Sequence, residues 1–557
     1  MEHIHSTKIG KEEIKLSLPG LKLKTVISLS VIIALFMLYF KMPVLSLRFV
    51  GWAGSLFIVL IPLALNPRTF KAVKFIFVLL FLFIVLGGIL SSPLFNAKRY
   101  RKMIGEVKVT EFTELISPIN LEQVPIVDRS FAAALAEKKL GEDFALGSRV
   151  SLGWPTRQMV KGKLYWVIPL MHSGFFKWLT NVSEGTPGYI MVSAINPQDI
   201  RFVREVNGRA LKLKYQQSSF FNQKLHRHLY LNGFVTKGLG DYTFEVDESG
   251  EPYWTVTVYN HRIGIAAPDG IGLAIVHAES GEIKYYPMPQ KDGALDDSAV
   301  PEWVDRIQPA EFVLSQLDWW GNYVRGYWNT VFGKRDMLMV TEGYNIIYGN
   351  DNRNYFYTGM SSIGSDEGTV GFVLTDTRSK QTHLYKMSGA TEYAAMRSAE
   401  GKVQNFKYRA TFPILLNMNG VPTYFMTLKD SAGLVKMFAF VSVKDFSLAG
   451  VGENIKSARD DYQMLLAGSR IGSMTEGASE QKQSTVTVAR IGSDVKDART
   501  YFYITTTEQP KRVFVATSNL SSFLPLTRSG DTIQISYVES GENEVSLITF
   551  KNISVGE

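Results

Sequence analysis

Histidines, acidic pairs and a dense group of aromatics are the residues of this 557-residue chain that could carry chemistry. His226-Arg227-His228 is the densest histidine site, on a helix expected over Ser218–Leu231. Helical residues two apart point roughly 200° away from each other, so these imidazoles would not share a metal, and a solvated basic helix end is the expectation. His3 and His5 sit in the N-terminal tail, while His172, His261, His277 and His383 have no Asp or Glu at a metal-site spacing. Asp296-Asp297 and Asp366-Glu367 lie in turn-like contexts, where solvated carboxylates are ordinary. A paired-carboxylate hydrolase would need such groups to converge. No serine stands in a Gly-x-Ser-x-Gly elbow, and Gly333-Lys334 lacks the flanking residues of a phosphate loop. With no cysteine, disulfides, thiolate zinc sites and cysteine nucleophiles are excluded. These residues imply no catalytic group, no metal and no cofactor.

The aromatics are Trp303, Trp319, Trp320, Tyr323, Tyr327 and Trp328, most of them on a helix expected over Pro309–Thr330. One reading is a surface that contacts a partner, a glycan or the bilayer interface. The other is a helix buried against sheet faces, with aromatics supplying core volume.

The elements that would position these residues begin with three apolar runs: Thr25–Phe40, Phe49–Leu65 and Phe75–Leu90. Each is at the short end of a membrane span, and flanking Lys and Arg can snorkel to supply length. Three transmembrane helices over 25–93 are expected, after a basic tail over 1–24. Residues 1–102 hold fourteen Lys and Arg against Glu2, Glu12 and Glu13; of 60 basic and 52 acidic residues in all, the rest of the chain holds 46 and 49. The high pI therefore belongs to the membrane flanks, and the soluble part lacks the positive excess of a nucleic-acid binder. With the N-terminus inside, Lys8, Lys11, Lys15, Lys22, Lys24, Arg68, Lys71 and Lys74 face the cytoplasm. Lys41, Arg48, Lys98, Arg99, Arg101 and Lys102 then lie outside, a balance that favours an extracytoplasmic soluble domain. The runs carry no ionisable residue, which argues against a channel or transporter made by one chain and leaves self-association as the route to a pore.

After a connector over 94–124, residues 125–468 hold a pattern seen four times. Asp128 opens a helix with Phe131, Ala132, Leu135 and Ala136 on one face. Turn-plus-aromatic strands follow at Lys161–Ile168, Gly250–Val256, Asn352–Tyr357 and Gly420–Met426. Second strands are Gly188–Val192, Gly272–Val276, Gly371–Leu374 and Met437–Val441, with turns at Asn196–Asp199, Glu279–Glu282 and Thr377–Lys380. Further helices are expected over Ala390–Ala399 and Asn454–Leu466. Helix plus antiparallel meander implies an α+β class. Ile126-Val127-Asp128, the alanine-rich helix ending at Gly141, and the hairpins at Gly250–Val256 and Gly272–Ile283 are similar to the PepSY-type module of exported bacterial proteins. That resemblance covers about two thirds of the chain. It implies an extracytoplasmic module that binds or regulates other proteins, some of them peptidases, with no catalytic residue to carry over. Gly174-Phe175-Phe176-Lys177-Trp178-Leu179 is an insertion relative to the simple pattern.

Residues 469–484 have the small and polar content of a linker. Strands expected at Thr485–Ile491, Thr500–Thr506, Arg512–Ala516, Thr532–Val538 and Val545–Ile553 suggest a small barrel, similar in spacing to the OB fold, over 485–557. The expected function is a non-enzymatic, membrane-anchored scaffold or binding protein of a bacterial envelope, with the bilayer and a protein or peptide as partners. An envelope hydrolase and a nucleic-acid handler acting through the barrel are the alternatives.

Overall fold

The computed structural model describes residues 22–110, 125–291, 294–349, 353–364, 368–418, 420–467, 481–496, 499–518, 520–538 and 543–556. The tail with His3 and His5, and the pair Asp366-Glu367, lie outside the described residues. The fold is mixed α and β, with strands predominating.

Among the described residues, two helices are long and apolar enough to cross a membrane. Helix α1, Leu23–Phe36, continues as a π-turn over Met37–Lys41, and α3 spans Pro67–Ser91. Ile32, Leu35, Phe75, Phe81 and Leu90 project from them without protein cover. The middle run falls short of the expected third span. It forms α2, Gly51–Ala64, whose 14 residues reach about 21 Å, less than a hydrocarbon core of about 30 Å. Phe49 leaves the run to stack on the His261 ring at 4.5 Å, and Leu65 serves as the C-cap. Helix α3 starts at Pro67 instead of Phe75 because the Asn66 side chain caps it, accepting from the Arg68 N–H at 2.9 Å.

The connector is docked onto the soluble part. Helix α4, Pro93–Arg101, buries Tyr100, and Ile104 follows it into the core. Val107–Val109 then adds a parallel edge strand against Thr382–Leu384.

Four antiparallel sheets follow one another along the chain. In the first, Lys163–His172 pairs with Tyr189–Ser193, and Ile200–Val203 follows; Val150–Leu152 and Thr156–Val160 form the opposite edge. The second is the meander Gly238–Val246, Pro252–Ile263, Ala266–His277 and Ile283–Pro287. In the third, Leu338–Val340 and Asn345–Tyr348 flank Asn354–Ser362, then Gly368–Asp376 and Thr382–Ala390. In the fourth, Arg409–Ala410 and Ile414–Met418 flank Val421–Lys429, then Val435–Ser442 and Ala449–Gly452.

One backbone knot recurs in all four. The N–H groups of Ala194, Ala278, Thr377 and Val443 donate to the carbonyls of Leu164, Pro252, Asn354 and Pro422, respectively. The carbonyls of the same four residues accept from Ile126 and Val127, from Lys214 and Tyr215, from Ile307 and Gln308, and from Ala390. Each knot ties the end of the second strand to the start of the first and to the segment leading into a helix.

Those helices are α5, Arg129–Gly141, a short one at Leu225–Leu229, α6, Ala310–Asn322, and α7, Glu392–Lys402; α8, Ile455–Ala467, follows the fourth sheet. Asp128 caps α5 by accepting from the Phe131 N–H at 2.9 Å. The helix expected over Ser218–Leu231 is instead a 3-10 turn at Phe221–Gln223, the short helix, and a π-turn at Tyr230–Phe234. The one expected over Pro309–Thr330 stops at Asn322, and Gly326 turns the chain with φ +82°.

Central strands are covered on both faces, which is why they read as continuous apolar runs. Leu164, Trp166 and Ile168 share a core with α5, while Tyr165 and Val167 share one with Leu225, Leu229 and Trp254. Phe356 and Val373 meet Val313 and Leu317 of α6; Tyr357 and Phe372 meet α7 and the fourth sheet. Phe425 and Phe440 meet Tyr462 of α8.

Gln481–Lys496, Arg499–Thr506, Val513–Thr517, Glu544–Asn552 and Thr532–Val538 close a five-stranded barrel in that order, with Val513–Val515 parallel to Glu544–Ser546. The linker expected over 469–484 lies mostly outside the described residues, and its last four residues already belong to the first barrel strand.

The turn Asp376–Lys380 is buried although three of its five residues are charged. The Asp376 carboxylate accepts from the N–H groups of Arg378 and Ser379. Arg378 reaches Asp297 at 2.6 Å and the carbonyls of Val300, Pro301 and Val304. Lys380 donates to Asp269 at 2.5 Å, Gln316 at 3.1 Å and the Met103 carbonyl at 3.2 Å. Lys380→Met leaves the buried Asp269 carboxylate with only Arg262 at 3.2 Å and the Gln316 amide at 3.1 Å, and is expected to cost about 3 kcal/mol. Lys456→Ala, which breaks an exposed pair with Glu544, should cost under about 1 kcal/mol. Urea midpoints of the full chain in detergent check the contrast.

Candidate functional site

The four sheets meet in a closed ring of contacts. Gln158 of the first donates to Val246 and Trp303 carbonyls in and beyond the second, and accepts from the Val246 N–H. The turn Asp376–Lys380 joins the second to the third. Glu392, fully buried in α7, ties that helix to the third sheet by accepting from Tyr357 at 2.6 Å and Thr341 at 2.9 Å, while Ala395 and Ala399 of α7 share a core with the fourth. Lys429 closes the ring on Asp128 at 2.6 Å and Ser130 at 3.0 Å.

A cleft of about 1280 Å³ lies at the centre of this ring. Residues from the leading edge of each sheet line it: Ser151–Arg157 from the first, Asp241–Thr243 from the second, Tyr344–Ile346 from the third, and Thr411 with Ile414 from the fourth. Edge strands carry backbone N–H and C=O groups without ladder partners on one side. A cleft beyond the roughly 300–1,000 Å³ of small-molecule sites has room for a polymer segment.

Aromatics and ions set its chemistry. Trp154 is 72% exposed at the rim, with the Arg129 guanidinium 5.2 Å from its ring. Arg157 lies between Trp166, at 5.8 Å, and Tyr348, at 5.7 Å, and donates to the Ile346 carbonyl. Arg306 pairs with Asp241 at 3.0 Å.

Two carboxylates sit together behind this wall. Asp305 accepts from the Met159 N–H at 2.6 Å, and its own N–H donates to Glu245 at 3.3 Å. Glu245 also accepts from Thr255 at 3.0 Å. Burial, reinforced by the Asp305 charge, pushes Glu245 up to about 8. Burial pushes Asp305 up to about 7, opposed by its hydrogen bonds from Met159 and Asn354 and by the Arg378 and Arg157 charges. Burial thus holds both carboxyls well above their ordinary range. Neither stood out in sequence, because Glu245 is one acid in a strand and Asp305 one in a loop, sixty residues apart.

The structure scatters the six aromatics that the sequence grouped. Trp303 stacks on Tyr253 at 5.1 Å beside the second sheet. Trp319 meets the Tyr100 ring edge-on at 4.8 Å, and Tyr323 meets it at 6.1 Å. Trp320 packs in the core of the third sheet, with Arg101 5.6 Å away. Tyr327 contacts Trp328 at 5.5 Å, and Trp328 stacks on Phe332 in the open at 5.8 Å. Trp303, Trp319, Trp320 and Tyr323 are thus packed against the fold, while Trp328 is exposed.

His226 and His228 face different partners, Tyr242 and the Gly281 carbonyl. Their neighbour Arg227 is buried, not solvated: it donates to the Tyr39 carbonyl at 2.7 Å and lies 4.4 Å from the Tyr39 ring. Asp297 likewise is no solvated turn residue, being clamped by Arg353 and Arg378 at 2.6 Å each. His277 is not isolated in space. Glu251 and Glu279 come to it in a cluster with metal-ligand geometry, but the Arg209 guanidinium bonds to both carboxylates. The hairpin turns bring these residues together, which linear spacing hides.

The sign of the pH dependence follows from the two raised carboxyls. The folded state keeps protons that the unfolded chain, titrating at 4.5 and 3.8, has lost. Stability is then greatest at acid pH and falls as pH rises through about 7 and 8. Glu245→Gln should flatten that fall and raise stability by on the order of 2 kcal/mol above pH about 8, read from melting temperatures across the range.

No family model matches this chain, and no curated protein does. Among solved structures, one described as a sialidase aligns at a TM-score of 0.15 and 10% identity. The alignment covers 80% of this chain and 49% of that chain, so the chain spans about half the length of the protein it matches. A TM-score of that size carries no argument about fold or function.

Proposed function

We propose that the protein is a membrane-anchored binding protein that takes an extended polypeptide segment into the central cleft. The observation that carries this reading is the convergence of the leading edges of four sheets on one cleft. Strand addition at such an edge supplies main-chain hydrogen bonds, and Trp154, Trp166 and Tyr348 supply side-chain pockets. The recurrent backbone knot supports reading the four sheets as copies of one PepSY-like module. The barrel, with its third and fifth strands parallel, is read as OB-like; its 7 Lys and Arg against 8 Asp and Glu over 485–557 do not favour nucleic acid. The hydrolase reading keeps one specific support, the Glu245 and Asp305 pair beside the cleft.

The anchor is read as three passes, with the short α2 completed by its flanks. The ends of α1 and α3 and the loop between α1 and α2 all touch the soluble part: Tyr39 at Asn222, Pro43 at Tyr230, Arg48 at His261 and Ser91 at Ile265. That arrangement supports reading the start of α1 as lying on the opposite side, where Lys22 and Lys24 favour an extracytoplasmic soluble part in a bacterial envelope. Self-association within the membrane is compatible with it.

Two measurements test these readings. A photo-crosslinking residue at Trp154 should yield a stoichiometric polypeptide adduct, and Trp154→Ala should weaken binding of the recovered segment by about 2 kcal/mol, near thirtyfold. Turnover of glycan or peptide substrates by the purified chain would favour the hydrolase instead. With Phe406→Cys in this cysteine-free chain, an impermeant maleimide should label intact cells; protection until lysis would put the soluble part in the cytoplasm.

A further inference from the structure

We infer that the soluble part lies flat on the bilayer, held there by two aromatic feet that enter the headgroup layer on either side of the anchor. This rests on the membrane-anchored reading above and adds a surface to it.

The first foot stands beside the end of α1. Phe176, which is 77% exposed, and Leu179 project from a short helix at Phe175–Leu179. Phe175 stacks edge-on against Phe220 at 5.2 Å and reaches Phe221 at 6.4 Å. Phe221 is itself exposed, and it adjoins Asn222, which accepts from the Tyr39 hydroxyl at 2.9 Å. Arg227 completes the join, bonding the carbonyls of both Tyr39 and Phe221. The end of the helix is thus joined to the exposed Phe221 by Asn222 and Arg227.

The second foot stands beside the end of α3. The Tyr100 hydroxyl donates to the Ser91 carbonyl at 2.8 Å, and the Tyr100 ring touches Trp319 and Tyr323 at the end of α6. Beyond Gly326 the chain presents Trp328, Val331 and Phe332, the last 78% exposed. Between the feet, the hairpin tip packs on α3. Gly264, at φ +57°, leaves room for the Ser91 hydroxyl where a Cβ would come within 2.2 Å, and Ile265 abuts Gly87.

Large aromatics exposed in water are costly, whereas at the headgroup boundary their apolar bodies are buried. Exposed cations sit beside both feet, Lys177 at the first and Lys334 and Arg335 at the second, suited to anionic lipid phosphates. The nearby acid Asp336 is already paired with Arg325.

The test uses the full chain in vesicles of phosphatidylcholine and phosphatidylglycerol, with single cysteines at Phe176, Phe332, Ile32 and Phe406 carrying a fluorophore. A nitroxide borne by the lipid headgroup reports proximity of the feet, and one borne at mid-depth on the acyl chain reports proximity of Ile32, the middle of its span. Quenching at Phe176→Cys and Phe332→Cys several-fold above that at Phe406→Cys is the expected result. Quenching at both feet no greater than at Phe406→Cys, with Ile32→Cys strongly quenched, overturns the inference and leaves the anchor standing. Absence of quenching at Ile32→Cys overturns the anchored reading itself.

Discussion

Burial of a charged β-turn is the constraint on which the arrangement of this molecule depends. Asp376–Lys380 joins two strands of the third sheet, a place where chains normally meet solvent. Here Arg378 satisfies carbonyls of the 297–304 segment, Thr377 closes the knot with Ile307 and Gln308, and Lys380 reaches Asp269, Gln316 and Met103. Buried ions are tolerable only when paired and fully bonded, so the turn dictates where the second sheet, α6 and the membrane connector must stand. The same position in the other three sheets uses Ala194, Ala278 and Val443, which keep the backbone knot; beside Ala278 a single buried charge, Glu279, pairs with Arg209.

That fastening gives the cleft its form. Sheet faces are taken up by helices and neighbouring sheets, and the leading edges face the centre together with Trp166, Phe425–Thr427 and one side of α5. A ring closed by Gln158, the charged turn, Glu392 and Lys429 holds those edges apart instead of letting them pair with each other. The raised carboxyls of Glu245 and Asp305 follow from the same geometry, because the ring withdraws them from water, and the Arg306 charge at Glu245 and the Arg378 and Arg157 charges at Asp305 only partly oppose the effect.

Helices α1 and α3 are bound to the ring by equally specific contacts. Tyr39, Pro43, Arg48, Ser91 and Tyr100 each contact the β-rich part, so these helices are an integral piece of the fold. Arg227 shows the cost of reading charge locally: in a line of residues it looks like a solvated helix end, yet its guanidinium is spent on Tyr39 and Phe221.

Local pattern was enough to determine part of this. Uncharged runs mark α1 and α3, Asp128 marks the start of α5, and alternating turns and aromatic strands mark the four meanders, because each depends on residues close in the chain. The length of α2 was not legible, since Phe49 leaves the apolar run for a distant histidine. Nor was the division of the Trp303–Trp328 aromatics between core and surface, which depends on where α4 docks. The cleft, its carboxylates and the Glu251, His277 and Glu279 cluster belong wholly to the tertiary structure. Their members are drawn together by sheets whose order along the chain says nothing about which edges will meet, and contact between edges, unlike helix or strand formation, is decided by packing across the whole ring.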